Sequence, residues 1–245
     1  MNLFVVRPHL DAVLRPAVRA LARLPVSANS WTTLAWAAGI GAAVLFIQGW
    51  WAVGIIVFAL RGLLDHVDGY VARERGETSV LGAVLDDLAD RYVIAVFVLF
   101  AAAHLAGPFP HLPYVAAFAV SGTMVNAFCK PCVYVETQDA VRRNGKITHP
   151  MDLVGMFGSA EFLIYFGIPT LGGALARNAW PIVVGIWLTA ILSHVSLLQR
   201  LVYVARNYSR GRRGGDPRPS EACEPEPPAG RSAENDQDLP ATHPG

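Results

Sequence analysis

Asp65 and Asp68 stand three residues apart, and Asp86 and Asp90 four apart, between segments otherwise apolar enough to lie in a bilayer. Ionised groups at membrane depth are expensive, so a cluster of four carboxylates there reads as a functional site. On helices, spacings of three and four place each pair on one face. Gly69 follows Asp65 by four, Ala72 follows it by seven, and Gly82 precedes Asp86 by four. Small residues on a carboxylate face leave room for a bulky ligand. Four carboxylates on neighbouring antiparallel helices repel one another unless cations sit between them. Oxygen-only ligands suit hard divalent ions, chiefly Mg²⁺, with Mn²⁺ and Ca²⁺ as alternatives. Two such ions would stabilise the attacking and leaving oxygens of a displacement at phosphorus. Arg73, just past the stripe, is placed to hold a phosphate. Arg61, one turn before Asp65, either balances the cluster or touches phosphate. His66 falls between the stripes and reads as a packing or surface residue, and Asp87 lies off the Asp86 and Asp90 face.

The elements that must position these groups read as membrane helices. Of the 245 residues 53% are hydrophobic and only 16% charged, with mean hydropathy +0.37, a composition unlike that of a soluble domain. Arg15, Arg19 and Arg23 form a basic stripe on residues 1–24, which predicts an interfacial amphipathic helix. Residues 31–50 carry no charge and have the length a bilayer requires, with Trp31, Trp50 and Trp51 at the ends. The second span runs from Trp51 through the first Asp pair to Arg73, and the third from Val80 through the second pair to Ala106. Further spans are predicted over 114–137, 151–175 and 180–203. The fold class is therefore all-α, an integral membrane protein with six transmembrane helices plus the N-terminal interfacial helix. Basic residues gather at the N-terminus, at Arg73 and Arg75, at Arg142, Arg143 and Lys146, and after the sixth span, whereas the opposite side offers only Arg177. That asymmetry predicts both termini and the Asp cluster on the cytoplasmic side, and the membrane is expected to be a prokaryotic cell (inner) membrane. Residues 1–205 form the membrane domain. Residues 206–245, rich in Gly, Pro, Ser, Glu and Arg, are expected to be a disordered tail. Cys129 and Cys132 make a lone C-x-x-C inside an apolar run and read as ordinary span residues. No nucleic-acid partner is expected.

The residues Asp65-x-x-Asp68-Gly69-x-x-Ala72-Arg73, then eight residues, then Gly82-x-x-x-Asp86-x-x-x-Asp90 resemble the signature of the CDP-alcohol phosphatidyltransferase family at every fixed position. The resemblance, with the six spans and the N-terminal helix, covers roughly residues 5–205. It implies a homodimeric six-helix membrane enzyme in which an alcohol displaces CMP from a CDP-linked donor, usually CDP-diacylglycerol. By position, it implies that Asp65, Asp68 and Asp86 are metal ligands. Asp90 it implies to be both a ligand and the general base taking the acceptor's hydroxyl proton. Asp68, Gly69, Ala72, Arg73 and Gly82 would form the surface on which the CDP moiety rests.

The acceptor is less defined. Asp90-Arg91 is similar to the phosphatidylinositol-phosphate synthase branch, but spans four and five read K-P-C-V-Y-V-E and F-G-S-A-E-F, without the arginines that branch would carry. Arg142-Arg143-Asn144-Gly145-Lys146 resembles the basic stretch of glycerophosphate transferases or serves as a topology signal. Lys130 and Glu161, charged within spans, are candidate acceptor contacts together with Arg142, Arg143 and Lys146. Glycerol phosphate, inositol with or without phosphate, and other polar alcohols stay open. Two rival functions use similar carboxylates: a membrane prenyltransferase binding a diphosphate through Mg²⁺, and a divalent-cation transporter.

Overall fold

Ser27 and Ser79 set the two helix starts that frame the site. Ser27 accepts a hydrogen bond from the Ser30 amide at 3.2 Å, and Ser79 accepts one from the Gly82 amide at 2.9 Å. Each satisfies a backbone donor that the first helical turn leaves without an intrahelical partner. The computed structural model describes residues 7–76, 78–137, 141–143 and 146–208. In chain order its elements are α1 (Arg7–Ala22), α2 (Ala28–Ile47), α3 (Trp51–Glu74), α4 (Val80–His104) and α5 (Leu112–Thr137). A short antiparallel hairpin follows, β1 (Val141–Arg143) and β2 (Lys146–Thr148), then a 3₁₀ turn over Pro150–Leu153. The last two helices are α6 (Ser159–Ala176) and α7 (Trp180–Tyr208). The fold is thus helical, as expected, with the hairpin as an addition inside the polar loop. The predicted tail lies outside the described residues from 209 onward.

α2, α5, α6 and α7 are each long and apolar enough to cross a membrane. α3 and α4 exceed that length but interrupt their apolar runs with the carboxylates. α2 packs along both α3 and α4, and α5 packs along α7. α1 lies against α3, where Val18 meets Trp31, Val67 and Val71, and Arg15, Arg19 and Arg23 stay exposed. Arg75 fixes this junction by donating to the carbonyls of Val26 and Leu24 at 2.8 and 2.9 Å.

Five phenylalanines form the centre of the bundle. Phe97 of α4 lies 5.2 Å from Phe46, 5.0 Å from Phe58 and 5.5 Å from Phe166, and Phe58 lies 5.4 Å from Phe162, between ring centroids. These edge-on and tilted pairs suit the aromatic quadrupole. Phe58 stands two turns before Asp65 and Phe97 two turns after Asp90, so the rings lie directly beneath the charged end.

The fifth span begins later than its hydropathy suggests. Helix was expected from residue 151, but α6 starts at Ser159. The reason is local. The side chains of His149 and Asp152 cap the backbone of this turn: His149 Nδ1 accepts from the Met151 amide at 3.0 Å, and Asp152 Oδ2 accepts from the His149 amide at 3.0 Å. Gly155 then takes φ +107°, a conformation L side chains rarely adopt, and turns the chain away. Within α6, residues Leu163–Gly167 form a π turn. Pro169, without an N–H, cannot donate back to the Tyr165 carbonyl.

Candidate active site

α3 and α4 run antiparallel with their charged ends adjacent, and the three- and four-residue spacings put the carboxylates on facing stripes. One oxygen from each of Asp65, Asp68 and Asp86 lies within 4.8 Å of the others. Asp68 is buried, Asp65 half-buried and Asp86 exposed, so the group opens to one side. Three hard oxygen donors converging in this way fit a divalent cation. Thr32 of α2 orients the buried member by donating its hydroxyl to Asp68 Oδ2 at 2.6 Å.

Asp90 lies next to that group, joined to Asp65 through Arg61. Its Oδ1 receives Arg61 Nη2, and its Oδ2 accepts the Ser159 hydroxyl at 2.7 Å. The same Arg61 nitrogen reaches Asp65 Oδ1 at 3.2 Å. Arg61 is almost fully buried, with its guanidinium carbon 5.9 Å from the centre of the Phe58 ring. These pairings agree with its reading as a balance to the cluster. A buried guanidinium needs such partners, because a lone charge at this depth is strongly disfavoured.

Arg73 and Gly69, two residues expected at the donor surface, lie together. Arg73 folds back over Gly69, its Nη1 3.2 Å from where a Cβ on Gly69 would lie. Gly82 sits at the start of α4 with Ser79 Oγ and Asn29 Oδ1 beside it, 3.1 and 3.6 Å from an added Cβ. Ala72 instead packs with the apolar residues joining α1, α2 and α3.

The candidate acceptor residues divide. Lys130 of α5 donates to Asp152 Oδ1 at 2.9 Å, and Tyr134 donates to the same oxygen at 2.6 Å. Burial works against the ionised form of Asp152. The Lys130 ammonium, the Tyr134 hydroxyl and the His149 amide more than offset it and hold the carboxyl below the usual range. Glu161 is buried in the first turn of α6, where Gly158 leaves it room: a Cβ there would lie 2.9 Å from Glu161 Oε2. The backbone of Arg142, Arg143 and Lys146 forms the hairpin, and their side chains lie outside the described residues.

Arg200, counted in the sequence only as a topology signal, is a buried member of this region. Its guanidinium donates to the carbonyls of Asn126 and of Val154, the latter at 3.2 Å. Arg200 and Lys130 each lie within the electrostatic reach of the other and of Arg91. Arg91 of α4, Lys130 of α5 and Arg200 of α7 thus act on one another electrostatically. Ser159, Thr32, Asp152 and Arg200 carried no spacing signal, because each meets its partner across a long stretch of chain.

The family model of CDP-alcohol phosphatidyltransferases matches residues 26–195. The phosphatidylinositol phosphate synthase of Streptomyces avermitilis is 31% identical over 82% of this chain and 81% of its own. That of Mycolicibacterium smegmatis is 31% identical over 76% of this chain and 81% of its own. A crystal structure of Mycobacterium tuberculosis phosphatidylinositol phosphate synthase with CDP-DAG bound shares the fold. Its TM-score is 0.66 at 24% identity, covering 82% of this chain and 98% of that one.

Proposed function

This chain belongs to the CDP-alcohol phosphatidyltransferase family, and from that premise we propose that it transfers a phosphatidyl group from CDP-diacylglycerol to an inositol phosphate. It is a phosphotransferase of phospholipid synthesis that releases CMP as an alcohol takes its place. In the proposed reaction the acceptor oxygen bonds to the lipid-side phosphorus of the donor, and the bond from that phosphorus to the CMP oxygen breaks. Asp90 receives the acceptor's hydroxyl proton, held for that purpose by Arg61 and Ser159 on its two oxygens. Asp65, Asp68 and Asp86 would hold a divalent cation, Mg²⁺ or Mn²⁺, which supplies positive charge where negative charge builds at phosphorus. Gly69, Arg73 and Gly82 shape the CDP surface.

The acceptor reading is supported by the mutual electrostatic influence of Arg91, Lys130 and Arg200, cations that would favour a phosphate on the acceptor. The names of the similar enzymes agree with it. The test is a panel of acceptors offered with CDP-diacylglycerol: inositol 3-phosphate, glycerol 3-phosphate, inositol and serine, with CMP as readout. Inositol 3-phosphate should release CMP fastest. Equal use of unphosphorylated inositol or serine would refute the phosphate-binding reading.

Six spans, α2 to α7, with α1 on the membrane surface, are supported by the exposed Arg15, Arg19 and Arg23 and by helix length. The loop charges support a cytoplasmic active site and cytoplasmic termini in a prokaryotic cell membrane. The family resemblance supports a homodimer, which cross-linking in native membranes would test.

A further inference from the structure

We infer that the end of the bundle remote from the carboxylates carries a binding site for the phosphate of an anionic phospholipid. A cavity of about 420 Å³ opens where the turn between α2 and α3 meets the last turn of α6. Gln48, Trp50, Trp51, Val53, Ala174 and Arg177 line it. Trp51 opens α3, and Asp65 lies roughly four turns further along the same helix, on the order of 20 Å away. On the topology proposed above, the cavity faces the outer leaflet.

The polar groups around the cavity are mostly donors. The last carbonyls of α2 are already engaged: Val44 by the Gln48 amide at 3.2 Å, Leu45 by the Trp50 amide at 3.0 Å, Phe46 by the Gly49 amide at 2.9 Å, and Ile47 by His104 Nδ1 at 2.7 Å. The end of α6 is closed in the same way, with the amides of Arg177 and Asn178 on the carbonyls of Ala174 and Gly173. By contrast, no side chain caps the first turn of α3, whose leading amides have no intrahelical partner. The Arg177 guanidinium is exposed, and Gln48 adds a side-chain amide. Among the described lining residues there is no carboxylate. Such a surface selects an anion and gives a head-group ammonium nothing to pair with. Arg177 also has φ +51°, the only positive φ outside glycine among the described residues. Glycine is favoured at such a helix end, so an arginine there keeps its side chain at a conformational cost.

The surroundings fit a lipid better than a free anion. On α3, Val53, Ile56 and Leu60 are exposed at helical spacing, and on α6 so are Ile168, Leu171 and Leu175. The two helices pack against each other, so the stripes make an apolar track from the cavity toward the membrane interior. Trp50, 61% exposed, stands at the end of the bundle where an indole meets the head-group layer. Acyl chains on the track would bring their phosphate to Arg177.

Delipidated full-length protein in detergent, titrated with phosphatidylglycerol and followed by native mass spectrometry, tests this. In Arg177→Gly and Arg177→Gln the affinity of one bound phosphatidylglycerol should fall about tenfold, the worth of one charge-assisted hydrogen bond. Arg177→Lys, which keeps the charge, should retain most of it. Glycine also relieves the positive φ, so lipid-free Arg177→Gly should melt no lower than wild type, and lost binding is then not lost folding. Equal affinity in wild type and both neutral variants overturns the inference. Uncharged diacylglycerol bound as tightly as phosphatidylglycerol overturns the phosphate, and glycerol 3-phosphate bound as tightly overturns the lipid. No turnover is measured, so failure here leaves the transferase reading untouched.

Discussion

Asp90 has both oxygens engaged, one by a buried arginine and one by a serine hydroxyl, and that makes it a well-oriented carboxylate. If it takes the acceptor proton, Asp90→Asn keeps the shape and loses the base. CMP release should fall by about 10²–10⁴-fold, the usual contribution of a positioned base, while calorimetric binding of CDP persists. Retained turnover in that variant would rule out the base assignment. Thr32 acts one step further away, through Asp68. Thr32→Val should weaken Mn²⁺ binding by roughly 10-fold, in the range of lost ligand-orienting hydrogen bonds, and Thr32→Ser should restore it. An unchanged Mn²⁺ affinity in Thr32→Val would show that Asp68 needs no such support. The four carboxylates were readable because helical spacing alone fixes which of them share a face. Thr32 and Ser159 were not, because a hydroxyl near a helix start is ordinary until the partner helix is placed beside it.

Among the elements, the start of α6 departs most from its hydropathy. Residues 151–158 are as apolar as a span, yet the His149 and Asp152 cap and the positive φ of Gly155 divert them into a turn. The diversion carries the Val154 carbonyl to Arg200 and Asp152 to Lys130. A Cβ on Gly155 would lie 2.6 Å from Ser196 Oγ and 3.1 Å from Arg200 Nε. Gly155→Ala should therefore lower thermal stability and activity together, by melting and CMP release, whereas Gly41→Ala, with open space around it, should leave both unchanged. Asp152 gives this turn a pH dependence. Its pKa is depressed on folding, so its stabilisation is complete above the ordinary carboxylate value and is lost as pH falls through the depressed one. The melting temperature of wild type should exceed that of Asp152→Asn at neutral pH, and the gap should start to narrow only once pH falls below the ordinary carboxylate value of about 4. A gap that already narrows between pH 7 and about pH 5 would exclude this ion pair as the cause. The long helices α2 to α7 and their order were legible from their apolar runs. The turn was not, because its cap uses a histidine side chain rather than the serine or threonine that usually marks one.

At the scale of the whole molecule, the outer faces of the bundle are apolar. Leu34, Ile56, Leu60, Phe118, Phe128, Ile168 and Leu198 are all exposed, a surface suited to lipid and unfavourable in water. The inner face is closed by Phe46, Phe58, Phe97, Phe162 and Phe166, four of them fully buried. Those rings are more than filling. A cluster of carboxylates set into a membrane across which a cell holds a proton gradient is half of an ion pathway. The phenylalanine layer withholds the other half, since neither water nor an ion has polar groups to follow through it. Vesicles carrying the wild-type enzyme should hold an imposed pH gradient as long as protein-free vesicles, by an entrapped fluorescent indicator. Phe97→Ala, which opens the centre of the layer, should let the gradient decay faster. A wild-type enzyme that leaked at the variant's rate would show that the rings are no seal. The rings close the bundle beneath the charged end.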